Sequence, residues 1–315
     1  MSSYRIQFQR GLSLSEFLDR FGSEEQCIEQ LIRQRWPGGF RCTHCARREP
    51  YRVAHGRRVV LECRGCARQT SLLAGTVMQH TKLPLRIWFL AMFFISQAKT
   101  GLSALALKRQ LGVSYRTAWL LHHKIMKVMA TADAQMPLEG SVVIDDAYLG
   151  GERPGTPGRG SPNKVPFVAA VQLDAQGRPQ FAKLTPVVGF TCAAIADWAR
   201  TALLPGTNVL SDGLGCFAGV IDAGCAHTYV VVGTRKPREL PRFTWVNTLL
   251  ANLKTAVNGA HKHFAFGKYA QTYLGAFAYR FNHRVHLRSL MTELLFDLAR
   301  TPPITERAIR RTCAL

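Results

Sequence analysis

Three groups of residues in the 315-residue chain have the types and spacing to do chemistry. The first is Cys42-x2-Cys45 and Cys63-x2-Cys66, with 17 residues between the pairs. Two tight thiol pairs at this separation predict a zinc ribbon, in which each pair sits on a knuckle turn and four thiolates close a tetrahedral Zn2+ with no position open to water. Such a site is structural rather than catalytic. The strands between the pairs are too short to bury a core, so metal binding supplies much of the folding energy. The second group is acidic. SVVIDDAYLGG reads as a β-branched strand ending in Asp145 and Asp146, and TNVLSDGLGCFAGV as a short strand that delivers Asp212 at its end. Hard carboxylate oxygens suit Mg2+ or Mn2+, and two such ions suit attack on a phosphodiester, which needs charge neutralisation, an activated water and a stabilised leaving oxygen. Taken alone, Asp212 also fits a structural S-D-G turn, and the Asp145–Asp146 pair a solvated strand end. The third group lies in TWVNTLLANLKTAVNGAHKHF, a predicted helix in which Asn247 and Lys254 are seven apart and share a face. By residue type alone Asn247 reads best as a helix N-cap, and Lys254 as an exposed cation or a phosphate contact.

These groups need elements to position them, and composition says what kind. The chain has 41 Lys and Arg against 20 Asp and Glu, a formal charge of +21, yet 47% of its residues are hydrophobic. That excludes a mainly disordered basic tail and points to folded domains with a polyanionic partner. The longest apolar run, Ile87 to Ile95, is far short of the roughly 20 residues that cross a bilayer. The N-terminus has no apolar signal core, and nine cysteines with four in tight pairs do not suit a secreted disulfide framework, so a reduced cytoplasm is expected. Cys27, Cys192, Cys216, Cys225 and Cys313 lack ligand spacing and are expected to be buried.

Five stretches follow from the patterning. Residues 1–36 read as helices, with Ser15 as the first N-cap; 37–75 as the zinc ribbon, with strands at YRVA and RVVLEC; and 76–136 as a helical segment. Residues 137–265 read as strands alternating with helices, and 266–315 as helices again. Charge concentrates early: residues 33–68 hold ten arginines and two acids. Arg57, Arg58 and Arg64 are therefore candidate contacts to nucleic-acid phosphates. In LSALALKRQLGVSYRTAWLLHHKIMKVM, a turn at Gly112 and a cap at Ser114 suggest a helix-turn-helix, with Tyr115 and Arg116 placed to enter the major groove. The run GGERPGTPGRGSP, Gly150 to Pro162, forms no regular element; Arg153, Arg159 and Lys164 in and beside it are plausible phosphate contacts. From Ser141 on, three strands, helix, strand, helix, strand, helix is the order of a ribonuclease-H-like mixed sheet, in which carboxylates on the first and fourth strands converge.

Together, the Cys42/Cys45/Cys63/Cys66 ribbon, IDDAYLGG, SDGLGCF, GTRKPRELPRFTWVNTLLANLKTAVNG and KYAQTYLGAFAYRFNHR resemble an insertion-sequence transposase of the ISXO-two-like type, a DDE-superfamily group, over nearly the whole chain. The resemblance implies an α/β multidomain enzyme in which Asp145, Asp212 and Asn247 hold two Mg2+ or Mn2+ ions. It also implies that Lys254 is their basic partner, in place of the N-cap reading of Asn247. It implies binding of double-stranded DNA at terminal inverted repeats and target, strand cleavage followed by strand transfer, and at least a homodimer on DNA, in the bacterial cytoplasm with the nucleoid. Asp146 stands where the family commonly has Glu and is expected behind the metal ligands. GAHKHF stands where the family usually has GTYHAF, which puts Lys262 at the place of a recurrent His. The competing expectation is a zinc-ribbon DNA-binding protein, or an inactive remnant, that occupies the ends without cutting them.

Overall fold

The computed structural model describes residues 10–56, 58–150, 164–236, 239–262 and 264–311, with only the backbone at Arg58. The chain divides into two compact units. One takes the chain up to Ala98, Leu102–Val128 and Val285–Arg310; the other takes Lys99–Gly101 and Met129–Arg284.

The first unit opens with α1 (Leu14–Phe21) and α2 (Glu24–Arg35). The first cap is Ser13, not Ser15. The Ser13 hydroxyl accepts from the Glu16 N–H at 3.2 Å, and the Glu16 carboxylate accepts from the Ser13 N–H at 3.1 Å. Only Ser13 has an acid three residues on; Ser15 has Leu18 there and cannot form the reciprocal pair. Next come β1 (Pro50–His55), β2 (Arg58–Cys63) and β3 (Gln69–Ser71), a three-stranded antiparallel sheet. α3 (Leu85–Gln97) is the buried helix expected from its apolar run, with Phe89 against Phe21 and Phe93 against Phe17 at ring separations of 5.4 and 4.7 Å. α4 (Ala104–Leu111) ends at Gly112, whose φ of +66° lets the chain turn into α5 (Tyr115–Ala134). The Ser114 hydroxyl takes up the Thr117 N–H at the start of α5. The division between units falls inside α5.

The second unit is built on β4 (Ser141–Leu149), β5 (Val165–Leu173), β6 (Pro179–Pro186), β7 (Asn208–Ser211) and β8 (Ala226–Tyr229), in the order β6-β5-β4-β7-β8. β4, β5 and β6 pair antiparallel, while β4, β7 and β8 run parallel, so the sheet is mixed. Alternation along β4 sorts its side chains: Val142 and Ile144 join α6 (Cys192–Ala202) and the 3-10 helix Gly215–Ala223 on one face. Val143 joins α7 (Thr244–Ala256) and α8 (Phe266–Asn282) on the other. The two-residue period therefore aims Asp145 at the α7 face. The last strand is shorter than HTYVVVG suggested, ending at Tyr229. Cys216 and Cys225 are buried as expected, but Cys192 begins α6, where it is exposed, and Cys313 lies outside the described residues.

The chain then returns to the first unit as α9 (Leu290–Arg300), which packs on α2 and α3, and α10 (Glu306–Arg310). Among the described residues, no helix is long and apolar enough to cross a membrane.

Candidate functional site

The four paired cysteines meet. The Sγ atoms of Cys42 and Cys66 are 3.6 Å apart, those of Cys45 and Cys63 3.4 Å, and all four lie within 4.8 Å of one another. A tetrahedron with Zn–S bonds of about 2.3 Å has S···S edges near ~3.8 Å, so the donor set fits Zn2+. The two knuckles are one hexapeptide used twice, CTHCAR at Cys42–Arg47 and CRGCAR at Cys63–Arg68. In each, the first Cys N–H bonds the Arg carbonyl (3.0 Å or less) and the Ala N–H bonds the first Cys carbonyl. Closing the turn forces Ala46 and Ala67 to φ +59° and +54°, the left-handed region that side chains avoid. Main-chain N–H groups then point at sulfur: His44 N–H reaches Cys42 Sγ and Gly65 N–H reaches Cys63 Sγ, each at 3.4 Å. The amides of Cys45 and His44 hold the Cys42 thiol down at about 6, favouring the thiolate that a metal requires.

The acidic group assembles through strand register. β4 and β7 pair in parallel with Val143 opposite Leu210, and two residues on from each stand Asp145 and Asp212. Adjacent parallel strands thus deliver two carboxylates side by side, Asp212 one residue past the end of its strand. One oxygen from each of Asp145, Asp146 and Asp212 lies within 4.8 Å of the others. Asp146, expected behind the metal ligands, brings its carboxylate into the same group, and its N–H bonds Asp145 Oδ1 at 2.9 Å. The structural reading of Asp212 also holds in part. Its Oδ1 accepts from the Leu214 N–H at 3.1 Å, and Gly213 supplies φ +91° for the turn, but a carboxylate keeps further lone pairs for another partner.

Asn247 faces this group. It lies inside α7 rather than at its cap, which is Phe243 without a side-chain bond. Asp145, Asp212 and Asn247 line one cavity of about 190 Å3, together with Val232, Arg235, Leu240 and Phe243. Like charges at such separations oppose one another, and a divalent cation held by carboxylate and amide oxygens removes the conflict, so this donor set fits Mg2+ or Mn2+. Lys254 is exposed two turns along α7 and does not line the cavity. Arg235 does line it and was not singled out by spacing. Its guanidinium is tied to the main-chain carbonyls of Val232, at 3.2 Å, and Val231, which orient it on the loop before α7. The basic run GTRKPREL was the available signal, but nothing in its spacing chose one cation.

The candidate phosphate contacts are scattered. Arg64 is exposed and lies over the Tyr51 ring at 4.4 Å. Tyr115 is exposed at the start of α5. Arg116, also exposed, is held by Glu306 of α10 at 3.0 Å, and Arg310 bonds the same carboxylate at 2.8 Å while stacking on Trp119. Lys164 is half-buried just before β5. Arg57, Arg153 and Arg159, and the side chain of Arg58, lie outside the described residues.

A four-thiolate ribbon and a mixed sheet with clustered acids at adjacent strand ends coincide with two family matches. The transposase zinc-ribbon domain matches residues 22–69, and the ISXO2-like transposase domain matches residues 137–282. The chain thus carries, in this order, a segment similar to a transposase zinc ribbon and a segment similar to the ISXO2-like transposase domain. A curated relative, described as an uncharacterized protein in transposable element ISH50 of Halobacterium salinarum, is 31% identical over 133 residues. That match covers 41% of this chain and 43% of the relative.

Proposed function

We propose that this protein is an insertion-sequence transposase that binds terminal inverted repeats and catalyses metal-dependent DNA strand cleavage and strand transfer at Asp145, Asp212 and Asn247. The single observation that carries the reading is the cavity those three residues line with Arg235. The strand order β6-β5-β4-β7-β8, with its parallel half beginning at β4, supports a ribonuclease-H-like catalytic domain over 137–265.

Two bound Mg2+ or Mn2+ ions would supply charge neutralisation, an activated water or hydroxyl and a stabilised leaving oxygen. Asp145 and Asp212 would hold them from the strand ends, and Asn247 would contribute a neutral carbonyl oxygen from α7. Arg235 sets a fixed positive charge at the mouth, where it orients the scissile phosphate and stabilises charge building on its oxygens. Lys254 holds a more distant phosphate. Asp146 joins Asp145 and Asp212 as a third acid, bonded through its N–H to Asp145. DNA is gripped by the zinc ribbon at 37–75 (Arg57, Arg58, Arg64), by the helix-turn-helix of 76–136 (Tyr115, Arg116), and by Arg153, Arg159 and Lys164. Residues 266–315 brace the assembly. Two element ends must be held together, so the working form is a homodimer or larger, acting on the bacterial nucleoid.

The test is strand cleavage of a labelled duplex carrying the element's ends, in Mg2+, Mn2+ or EDTA, with the Asp212→Ala protein alongside. Metal-dependent release of 3′-hydroxyl ends that vanishes in the variant is expected. Tight binding without cleavage in any metal, by folded and zinc-loaded protein, favours the DNA-binding remnant instead.

A further inference from the structure

In the second unit, several polar side chains near the end of α8 and on β6 are matched to partners, and one nearby is not. Asn282 bonds both the N–H and the carbonyl of Ala182, at 2.7 and 2.9 Å, and donates to Asp133 Oδ1 at 2.8 Å. The Lys183 ammonium donates to the Asp133 main-chain carbonyl at 2.7 Å, with the Asp133 carboxylate 4.0 Å away. Arg284 donates to the carbonyls of Gln180 and Phe281 at 2.9 and 2.8 Å, and also to that of Pro179. The exception is Arg280, four residues before Arg284 on α8. Among the described residues its guanidinium has no carboxylate and no hydrogen-bond acceptor, and burial alone pushes it down to about 10. A half-buried guanidinium with no counter-charge among the described residues can take an anion.

The surroundings have the matching chemistry. Gly101 stands over the guanidinium with φ +89°, and a Cβ on it would lie 3.2 and 3.3 Å from the two Nη atoms and 3.5 Å from His261 Nε2. The backbone at Gly101 is therefore bare where the two basic side chains converge. His261 closes the π-helical turn Val257–His261, a backbone form that recurs at functional sites, with its ring edge-on to Tyr273 at 4.8 Å. Burial, helped by the Arg280 charge, lowers the imidazole to about 4, so at neutral pH the ring is uncharged. The next residue, Lys262, is exposed and left-handed at φ +58°. Arg280 itself is half-buried, so solute can reach it.

We propose that Arg280 and His261, over the bare backbone of Gly101, form an anion site that takes a backbone phosphate of DNA. The guanidinium fork matches two phosphate oxygens, which a point-charge ammonium does not. The choice of DNA as the source of the phosphate rests on the transposase reading; the anion site itself does not. The experiment uses the full zinc-loaded chain and Arg280→Met, which keeps the length and removes the charge. Thermal melting in sodium phosphate against sodium chloride at equal ionic strength tests the site. Binding to duplex DNA across a salt series tests the source.

Phosphate is expected to raise the melting temperature of the wild-type protein and not of the variant, with the variant in chloride melting no lower than wild type. Its slope of log affinity against log salt should be shallower by about 0.9, the value of one lost phosphate contact. A phosphate effect that persists in Arg280→Met, or a variant that melts well below wild type in chloride, overturns the proposal by making Arg280 a structural cation. An Arg280-dependent phosphate effect in a protein that binds no duplex upholds the anion site, gives it to free phosphate and sinks the transposase reading. Duplex binding with an unchanged slope and no phosphate effect does the reverse.

Discussion

Replacing Lys183 with Met should produce a stability loss that depends on pH in a way fixed by its partner. Asp133 is buried with Lys183, and desolvation lifts its carboxyl from 3.8 to about 6 in spite of the nearby ammonium and the bond from Asn282. A carboxyl held above its unfolded value favours folding at low pH, and that advantage is lost as pH rises through the folded value. In the wild-type protein the penalty for ionising Asp133 therefore stops growing above about pH 6, at roughly 3 kcal/mol. Without the ammonium the folded carboxyl stays protonated to higher pH, and the penalty keeps growing by about 1.4 kcal/mol per pH unit. The gap in unfolding free energy between Lys183→Met and wild type should thus be flat from pH 4.5 to 5.5. It should then widen by about 3 kcal/mol between pH 6 and 8. A constant offset of about 1–3 kcal/mol, from the Asp133 carbonyl left without its donor, lies beneath it. Urea denaturation at half-unit pH steps reads both parts. Adding Asp133→Asn should remove the widening and leave the offset. A gap that stays constant from pH 5 to 8, or that widens equally in the double variant, refutes the argument.

Ala46→Gly and Ala67→Gly should each relieve about 1 kcal/mol of left-handed strain in a knuckle, seen as slower zinc loss to a chelator at unchanged one-ion stoichiometry. Gly275→Ala would put a Cβ 2.6 Å from the Ala130 Cβ and 2.8 Å from its Cα, where α8 crosses α5; the helices must part, lowering stability by about 1–3 kcal/mol in denaturation. Asn247→Glu should tighten divalent-metal binding measured by calorimetry with the protein alone; unchanged affinity would remove Asn247 from the ligand set.

Much of the site was legible because it depends on short-range rules. Cysteine spacing alone gives the ribbon, and strand alternation with strand ends gives Asp145 and Asp212 their common destination. Asn247 was harder: its residue type suits a cap, and only the position of the helix start, at Thr244, moves it inside the first turn. Arg235 could not be picked from its neighbours because its place comes from loop carbonyls. The same limit hid the Asp133–Lys183–Asn282 network and the orphan at Arg280. Each joins residues from separate elements, so no local pattern announces it. Ser13 is the opposite case. Its acid partner was visible three residues along, and the rule, applied one serine earlier, would have found the cap.

The return of α9 to α2 and α3 fixes an order of events during synthesis. Leu294, Leu295 and Leu298 fill a core whose other walls, α2 and α3, are synthesised about 200 residues or more before them. Until Arg300 has cleared the exit tunnel, the helices of the first unit have no lid for that core, while every strand of the second unit has already been delivered. The strands of the second unit are therefore all delivered before the helix that closes the core of the first. A chain that stopped between Arg284 and Leu290 would carry a finished sheet and an unfinished helical core, which quality control would meet as exposed leucine and phenylalanine surface.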